Sequence, residues 1–154
     1  MVARYGLSEV ESWVWVLYNE PGGINAYSKQ WESGGFSYTE MFFNTSAAIK
    51  SHSKAITVGG LSDSSDMATE LAAMIKADPT HRSGLMDLFT FHHYCNGMNS
   101  TDCGAANVAI VKRLRTVLPV GMPVVLEETG STAGPYDEFH DTTAEAAFVV
   151  PCVD

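Results

Sequence analysis

Four short apolar runs, rich in β-branched or aromatic residues, recur along this chain, and each is followed by a stretch with helical spacing. The runs are Trp13–Tyr18, Ala55–Val58, Met86–Phe91 and Pro123–Leu126. Strand and helix in strict alternation imply parallel pairing through right-handed crossovers. The runs are nearly continuous in apolar residues, as expected of strands covered on both faces. A doubly wound sheet and a (β/α)8 TIM barrel both satisfy this rhythm. No Gly-x-Gly-x-x-Gly follows a strand, so the dinucleotide-binding version has no loop to hold a pyrophosphate.

The intervening segments read as four helices. The first opens at Ser37, with Glu40 three residues on as a capping box, and carries Tyr38, Met41, Phe42, Thr45, Ala48 and Ile49 on one face. The second follows the Ser62-Asp63-Ser64-Ser65 cluster and presents Met67, Leu71, Met74 and Ile75, with Pro79 past its end. The third carries Val108, Val111, Leu114 and Leu118. The fourth starts at His140-Asp141 and runs through Ala144, Ala147 and Phe148. Four βα units make half a barrel, because about 250 residues is typical of a whole one. The 154 residues are therefore expected to form a single domain, 1–154, truncated at both ends.

Charge and composition narrow the partners. A net charge of -9 argues against nucleic acid, which needs basic patches. Lys112, Arg113 and Arg115 do cluster, on the polar side of the third helix, where a solvated face accounts for them. No apolar run reaches the ~20 residues needed to span a bilayer. The start, Met1 to Gly6, lacks the apolar region of a secretory signal, as expected of a cytoplasmic protein or of a chain whose true N-terminus is missing. Three cysteines are present, and Cys95 and Cys103 flank a polar loop. They can pair as a disulfide in an oxidising compartment or stay as free thiols, and the sequence leaves both open. Asn44-Thr45-Ser46 and Asn99-Ser100-Thr101 match the glycosylation acceptor pattern, Asn44 inside the first helix.

Barrel active sites lie at the carboxyl ends of the strands. Those ends here are Tyr18-Asn19-Glu20-Pro21, Gly59-Gly60, His92-His93-Tyr94 and Glu127-Glu128-Thr129. Strand alternation lets only one of Glu127 and Glu128 face the barrel axis. Two carboxylates at one barrel mouth suit glycosidic bond cleavage, one donating a proton to the departing oxygen and the other attacking the anomeric carbon. The spacing between them decides the stereochemical outcome. Acidic residues at strand ends also serve as helix caps or ion-pair partners, which is the plainer reading.

These residues resemble a known family. Trp13 to Pro21 resembles the strand-plus-Asn-Glu-Pro signature of clan A glycoside hydrolases, and Arg4 to Val10 looks like the lead-in of glycoside hydrolase family 39, the β-xylosidases and α-L-iduronidases. Lys50 to Gly60, Met86 to Tyr94, Met122 to Glu128 and His140 to Phe148 resemble further segments of that family, in its order. The resemblance implies a TIM barrel of which this chain is the segment from about the fourth to the seventh βα unit. It implies a retaining, β-xylosidase-like O-glycoside hydrolase working without a cofactor or a metal. Glu20 would be the acid/base and Glu128 the nucleophile, 108 positions apart. Glu127 would take the family's Thr position and face away from the axis. Asn19 would bind the sugar 2-hydroxyl, His92 would line the sugar subsite, and Tyr94 would hold the nucleophile.

Each role has a plainer counterpart: Asn19 as a turn residue, His92 as a satisfied strand-end histidine, Tyr94 as core. A His92/His93/His140 metal site lacks helpful spacing. The sequence departs from the family at Tyr18, which replaces Trp, at Thr129, which replaces an aromatic residue, and at Pro151, which breaks the last helix. An α-L-iduronidase-like enzyme and an inactive, carbohydrate-binding remnant are the competing readings. The full-length parent would be secreted, lysosomal or vacuolar. An open half-barrel exposes strand edges and apolar faces, so the chain alone is expected to self-associate and to show little hydrolase activity.

Overall fold

The computed structural model describes residues 1–21, 38–60, 76 and 82–130. Two helical turns, α1 (Val2–Tyr5) and α2 (Leu7–Glu11), precede strand β1 (Val14–Leu17). Helix α3 (Tyr38–Lys50), strand β2 (Thr57–Gly60), a 3-10 turn at Arg82–Leu85, strand β3 (Leu88–Tyr94), helix α4 (Ser100–Val117) and strand β4 (Val124–Gly130) follow. The four strands form one sheet in chain order, and every pairing is parallel. Sequential, parallel order is what a segment of a barrel wall requires, and a doubly wound sheet would reverse its order at a switch point. The expected second and fourth helices and the Ser37 cap lie outside the described residues, apart from Lys76, which is helical.

The two faces of the sheet differ sharply. Val58, Phe89 and Phe91 point to the helix side and join Phe42 and Phe43 of α3 and Ile110 and Leu114 of α4 in one buried cluster. Each such side chain contributes about 1.5–3 kcal/mol on leaving water. Trp15, Leu17, Val124 and Leu126 pack against this cluster from the outer strands. The opposite face carries Val14, Val16 and Val125, all exposed. It is the face that a closed barrel would turn inward.

Two glycines let the layers close. A Cβ on Gly60 would stand 2.5 Å from the Phe42 ring, and one on Gly59 would stand 2.4 Å from the Leu88 side chain. Gly60 therefore lets α3 lie directly on β2, and Gly59 leaves room for a large neighbour on the open face. Tyr38 adds a tie by donating its phenol to the Leu17 carbonyl at 2.8 Å.

The helices correct the sequence expectations in detail. On α3, Phe43 and Ser46 are buried and Ala48 is exposed. Ser46 is satisfied by donating its hydroxyl to the Leu85 carbonyl, a tie that periodicity cannot reveal. On α4, Val108 is exposed, and the buried face runs through Cys103, Asn107, Ile110 and Leu114. The helix begins eight residues before Val108, inside the stretch expected to be a loop. Asn99 is the reason: its side-chain oxygen accepts from the Asp102 N–H at 2.9 Å and caps the first turn. Cys95 and Cys103 are joined as a disulfide, with Cα atoms 5.4 Å apart, which ties the end of β3 to the first turn of α4.

A half-buried ion pair locks α3 to the sheet. Lys50 donates to Asp87 at 2.6 Å and to the Ile56 carbonyl at 3.0 Å, while the same Asp87 oxygen accepts from the Val58 N–H at 2.8 Å. Lys50 is only 8% exposed, so removing its partner strands a charge. Asp87→Ala is expected to cost on the order of 2 kcal/mol in chemical denaturation, discounted for the partly exposed carboxylate. An unchanged midpoint would show that the pair is a surface ornament.

Candidate active site

The site forms where β1, β3 and β4 end. The chain leaves β1 at Tyr18 through a turn in which Tyr18 and Glu20 both adopt left-handed backbone, at φ 75° and 47°. Such conformations cost non-glycine residues of order 1–3 kcal/mol each and cluster at functional sites. This turn brings Glu20 over the sheet, where its Oε1 stands 3.0 Å from Nδ1 of His92. Asn19 is exposed between the two strained residues.

On β3, Leu88, Thr90, His92 and Tyr94 alternate with Phe89 and Phe91, which belong to the helix-side core. His92 is 2% exposed. Tyr94, two residues on, donates its phenol to Oε1 of Glu128. His93 points the other way, with Nδ1 2.6 Å from Oδ1 of Asn107 on α4.

Strand β4 supplies the remaining acids through an irregularity. Pairing with β3 runs Phe89↔Val124, Thr90↔Val125 and Phe91↔Leu126, then moves to His92↔Glu128. Glu127 is passed over, so two residues of β4 oppose one of β3, which is a β-bulge. The alternation expected from the sequence fails at this step. Glu127 does not face away: its Oε1 stands 3.4 Å from Nε2 of His92, and Oε2 of Glu128 stands 3.2 Å from Nδ1. The bulge thus puts both glutamates on the open face with the imidazole between them. The adjacent pair Glu127-Glu128 does not by itself signal a bulge, because neighbouring acids are equally compatible with regular alternation.

Carboxylate oxygens of Glu20 and Glu128 and a ring nitrogen of His92 all lie within 4.8 Å of one another. The side chains of Glu20, Glu127 and Glu128 are 42%, 25% and 43% exposed, so solvent and a ligand reach the acids while the ring stays covered. A Glu-His-Glu set of this kind has donors that a cation could use. His93 also lies close to Cys95 and Cys103, but those sulfurs are bonded to each other. Of the His92/His93/His140 set, which the spacing disfavours, His140 is outside the described residues, and His92 and His93 point to opposite sides of β3.

Burial, reinforced by the neighbouring Glu128 carboxylate, pushes the Tyr94 phenol up to about 12 from its ordinary value of 10.0. The phenol is therefore a donor at every physiological pH. Because the folded value lies above the unfolded one, its contribution to stability is complete below pH 10 and is lost as pH rises toward 12. Ultraviolet titration should show one phenolate appearing near pH 12, absent in Tyr94→Phe. A full complement of tyrosines ionising near pH 10 would contradict this contact.

Among the described residues, no helix is long and apolar enough to cross a membrane. The family model for glycosyl hydrolases family 39 matches residues 1–154. A β-xylosidase from Caldicellulosiruptor saccharolyticus is 25% identical over 166 residues, an alignment that covers 99% of this chain and 32% of that enzyme. The chain thus spans about a third of the length of the curated relative it matches. With the family model matching from first residue to last, this chain belongs to glycosyl hydrolase family 39.

Proposed function

We propose that this chain carries the two catalytic glutamates of a retaining, β-xylosidase-like O-glycoside hydrolase, with Glu20 as acid/base and Glu128 as nucleophile. The single observation that carries this reading is the approach of the two carboxylates to within 4.8 Å around one ring. Direct displacement by an enzyme carboxylate needs a gap of about 5–5.5 Å, whereas about 6.5–9.5 Å leaves room for an intervening water. An approach within 4.8 Å between one oxygen of each group lies nearer the first range and supports it. Membership of the family and the resemblance to a β-xylosidase support the substrate class.

In the first step Glu128 attacks the anomeric carbon and forms an ester while Glu20 gives its proton to the departing glycosidic oxygen. In the second, Glu20 takes a proton from water, and the water oxygen displaces Glu128 with net retention. The Tyr94 phenol holds Glu128 in the orientation for attack. Asn19, exposed beside Glu20, is placed to bind the sugar 2-hydroxyl, a contact that strengthens as positive charge develops. His92 is too deeply buried to offer much surface to a sugar and acts on the carboxylates it touches. This chemistry calls on no cofactor, and we assign none.

We further propose that residues 1–154 are one domain: the portion of a (β/α)8 barrel from about its fourth to its seventh βα unit. The remaining strands would cover the exposed Val14, Val16 and Val125 and complete the sugar subsite. An iduronidase-like enzyme would need a basic subsite for the substrate carboxylate, and the described site offers three acids and a histidine instead.

In the complete barrel, Glu128→Ala should lower kcat for an aryl β-xyloside by roughly ten-thousand-fold or more. Glu20→Ala should spare substrates with good leaving groups far more than poor ones, because only the latter need a proton. The first sugar product, followed by NMR, should keep its anomeric configuration. Inversion, or full activity without Glu128, would end the assignment.

A further inference from the structure

We propose that Asn99, on the loop between β3 and α4, is where a secretory transferase attaches an N-linked oligosaccharide, and that Asn44 is not. Each heads an acceptor triplet, Asn99-Ser100-Thr101 and Asn44-Thr45-Ser46, but the fold treats the two differently. Asn44 is exposed midway along α3, whereas the third residue of its triplet, Ser46, is fully buried. The Ser46 hydroxyl is donated to the Leu85 carbonyl. That hydroxyl is the group the triplet must present, so docking of α3 on the sheet withdraws it. Asn99 stands at the other extreme. Cys95 to Met98 form a tight turn, closed by the Met98 N–H donating to the Cys95 carbonyl at 2.8 Å. Asn96 and Gly97 take left-handed backbone in it, at φ 28° and 83°. The chain leaves the turn extended at Asn99, with φ -76° and ψ 165°. Asn99 and Thr101 are both exposed.

A second observation points to the same compartment. Asn99 lies inside the loop that the Cys95–Cys103 disulfide closes. Disulfides form and persist in oxidising, secretory environments, where N-linked transfer also takes place. The co-reactant is a lipid-diphosphate-linked oligosaccharide. Nδ2 of Asn99 bonds to C1 of its first sugar, and the C1–O bond to the diphosphate breaks. The electron pair of that bond leaves with the lipid diphosphate, and one Nδ2 proton passes to a base of the transferase. Nothing is oxidised or reduced. The product amide keeps its carbonyl oxygen and one N–H. Those are the groups α4 uses: Oδ1 accepts from the Asp102 N–H at 2.9 Å, and Nδ2 donates to Asp102 Oδ2 at 2.8 Å. Neither contact needs the hydrogen that transfer removes, so the helix cap survives modification. The loop follows Tyr94 at the carboxyl end of β3, which puts the sugar on the rim that carries the candidate active site.

The test is to secrete the complete barrel from a eukaryotic cell behind a signal sequence and to map its intact glycopeptides by mass spectrometry. The peptide bearing Asn99 is expected to carry N-acetylhexosamine and hexose mass, and the peptide bearing Asn44 none. Thr101→Ala, at an exposed position, should lose that mass, while Thr101→Ser should retain it. Asn99→Asp should lose the sugar and keep a capping oxygen, so it secretes as a bare, folded protein. A bare Asn99 in the secreted wild-type protein would overturn the proposal. Sugar on Asn44, or sugar on Asn99 that survives Thr101→Ala, would overturn it too. No turnover enters the readout, so failure of the glycosidase assignment would leave this result intact and separately visible.

Discussion

The register between β3 and β4 governs the chemistry available to this structure. As the ladder steps from Phe91↔Leu126 to His92↔Glu128, one residue of β4 is passed over, and two glutamates that regular pleating would separate come to share a face. Without that step one of the pair would point to the helix side, where His93 meets Asn107, and away from His92. The bulge places both beside a single buried imidazole. Bulges often occur next to active sites because they re-aim a side chain while leaving the flanking strand in place.

The surroundings hold this arrangement firmly. Below it, aromatic rings from α3 and β3 fill the helix side, and Gly60 lets Phe42 approach the sheet. Beside it, the disulfide fixes the residue that follows Tyr94 to the first turn of α4. Across it, Lys50 and Asp87 fix the entry to β3. On this base the turn after β1 carries two left-handed non-glycine residues, and the conformational strain is spent on aiming Glu20 at His92. Three acids crowd one face, and the shared imidazole and the Tyr94 phenol are the groups they contact.

Much of the sheet could be read from the residues, because buried parallel strands announce themselves as apolar runs and all four were found in order. Their far ends could not. β3 and β4 run three and four residues beyond the apolar runs, to Tyr94 and Gly130, because polar side chains on the open face do not stop backbone pairing. The start of α4 was hidden for a related reason: Asn99 and Asp102 look like loop residues until one caps the other. Val108 was placed on the wrong face because periodicity fixes a helix's phase only as well as its apolar residues do, and Cys103 and Asn107 take part in the buried face instead. For the site, Glu20, His92, Tyr94 and Glu128 were all named from their places at strand ends, and the fold brings them together. Glu127 was assigned to the other face by a rule of alternation that a single bulge suspends.

The central claim is that Glu128, and neither of the acids that share its histidine, forms the bond to the sugar. Incubating the complete barrel with a 2-fluoro xyloside, which slows breakdown of the intermediate, and mapping the labelled peptide by mass spectrometry addresses this directly. The account predicts one sugar per active site, attached to the Glu128 carboxylate. Label on Glu127 or Glu20, or inactivation without any covalent adduct, would contradict it.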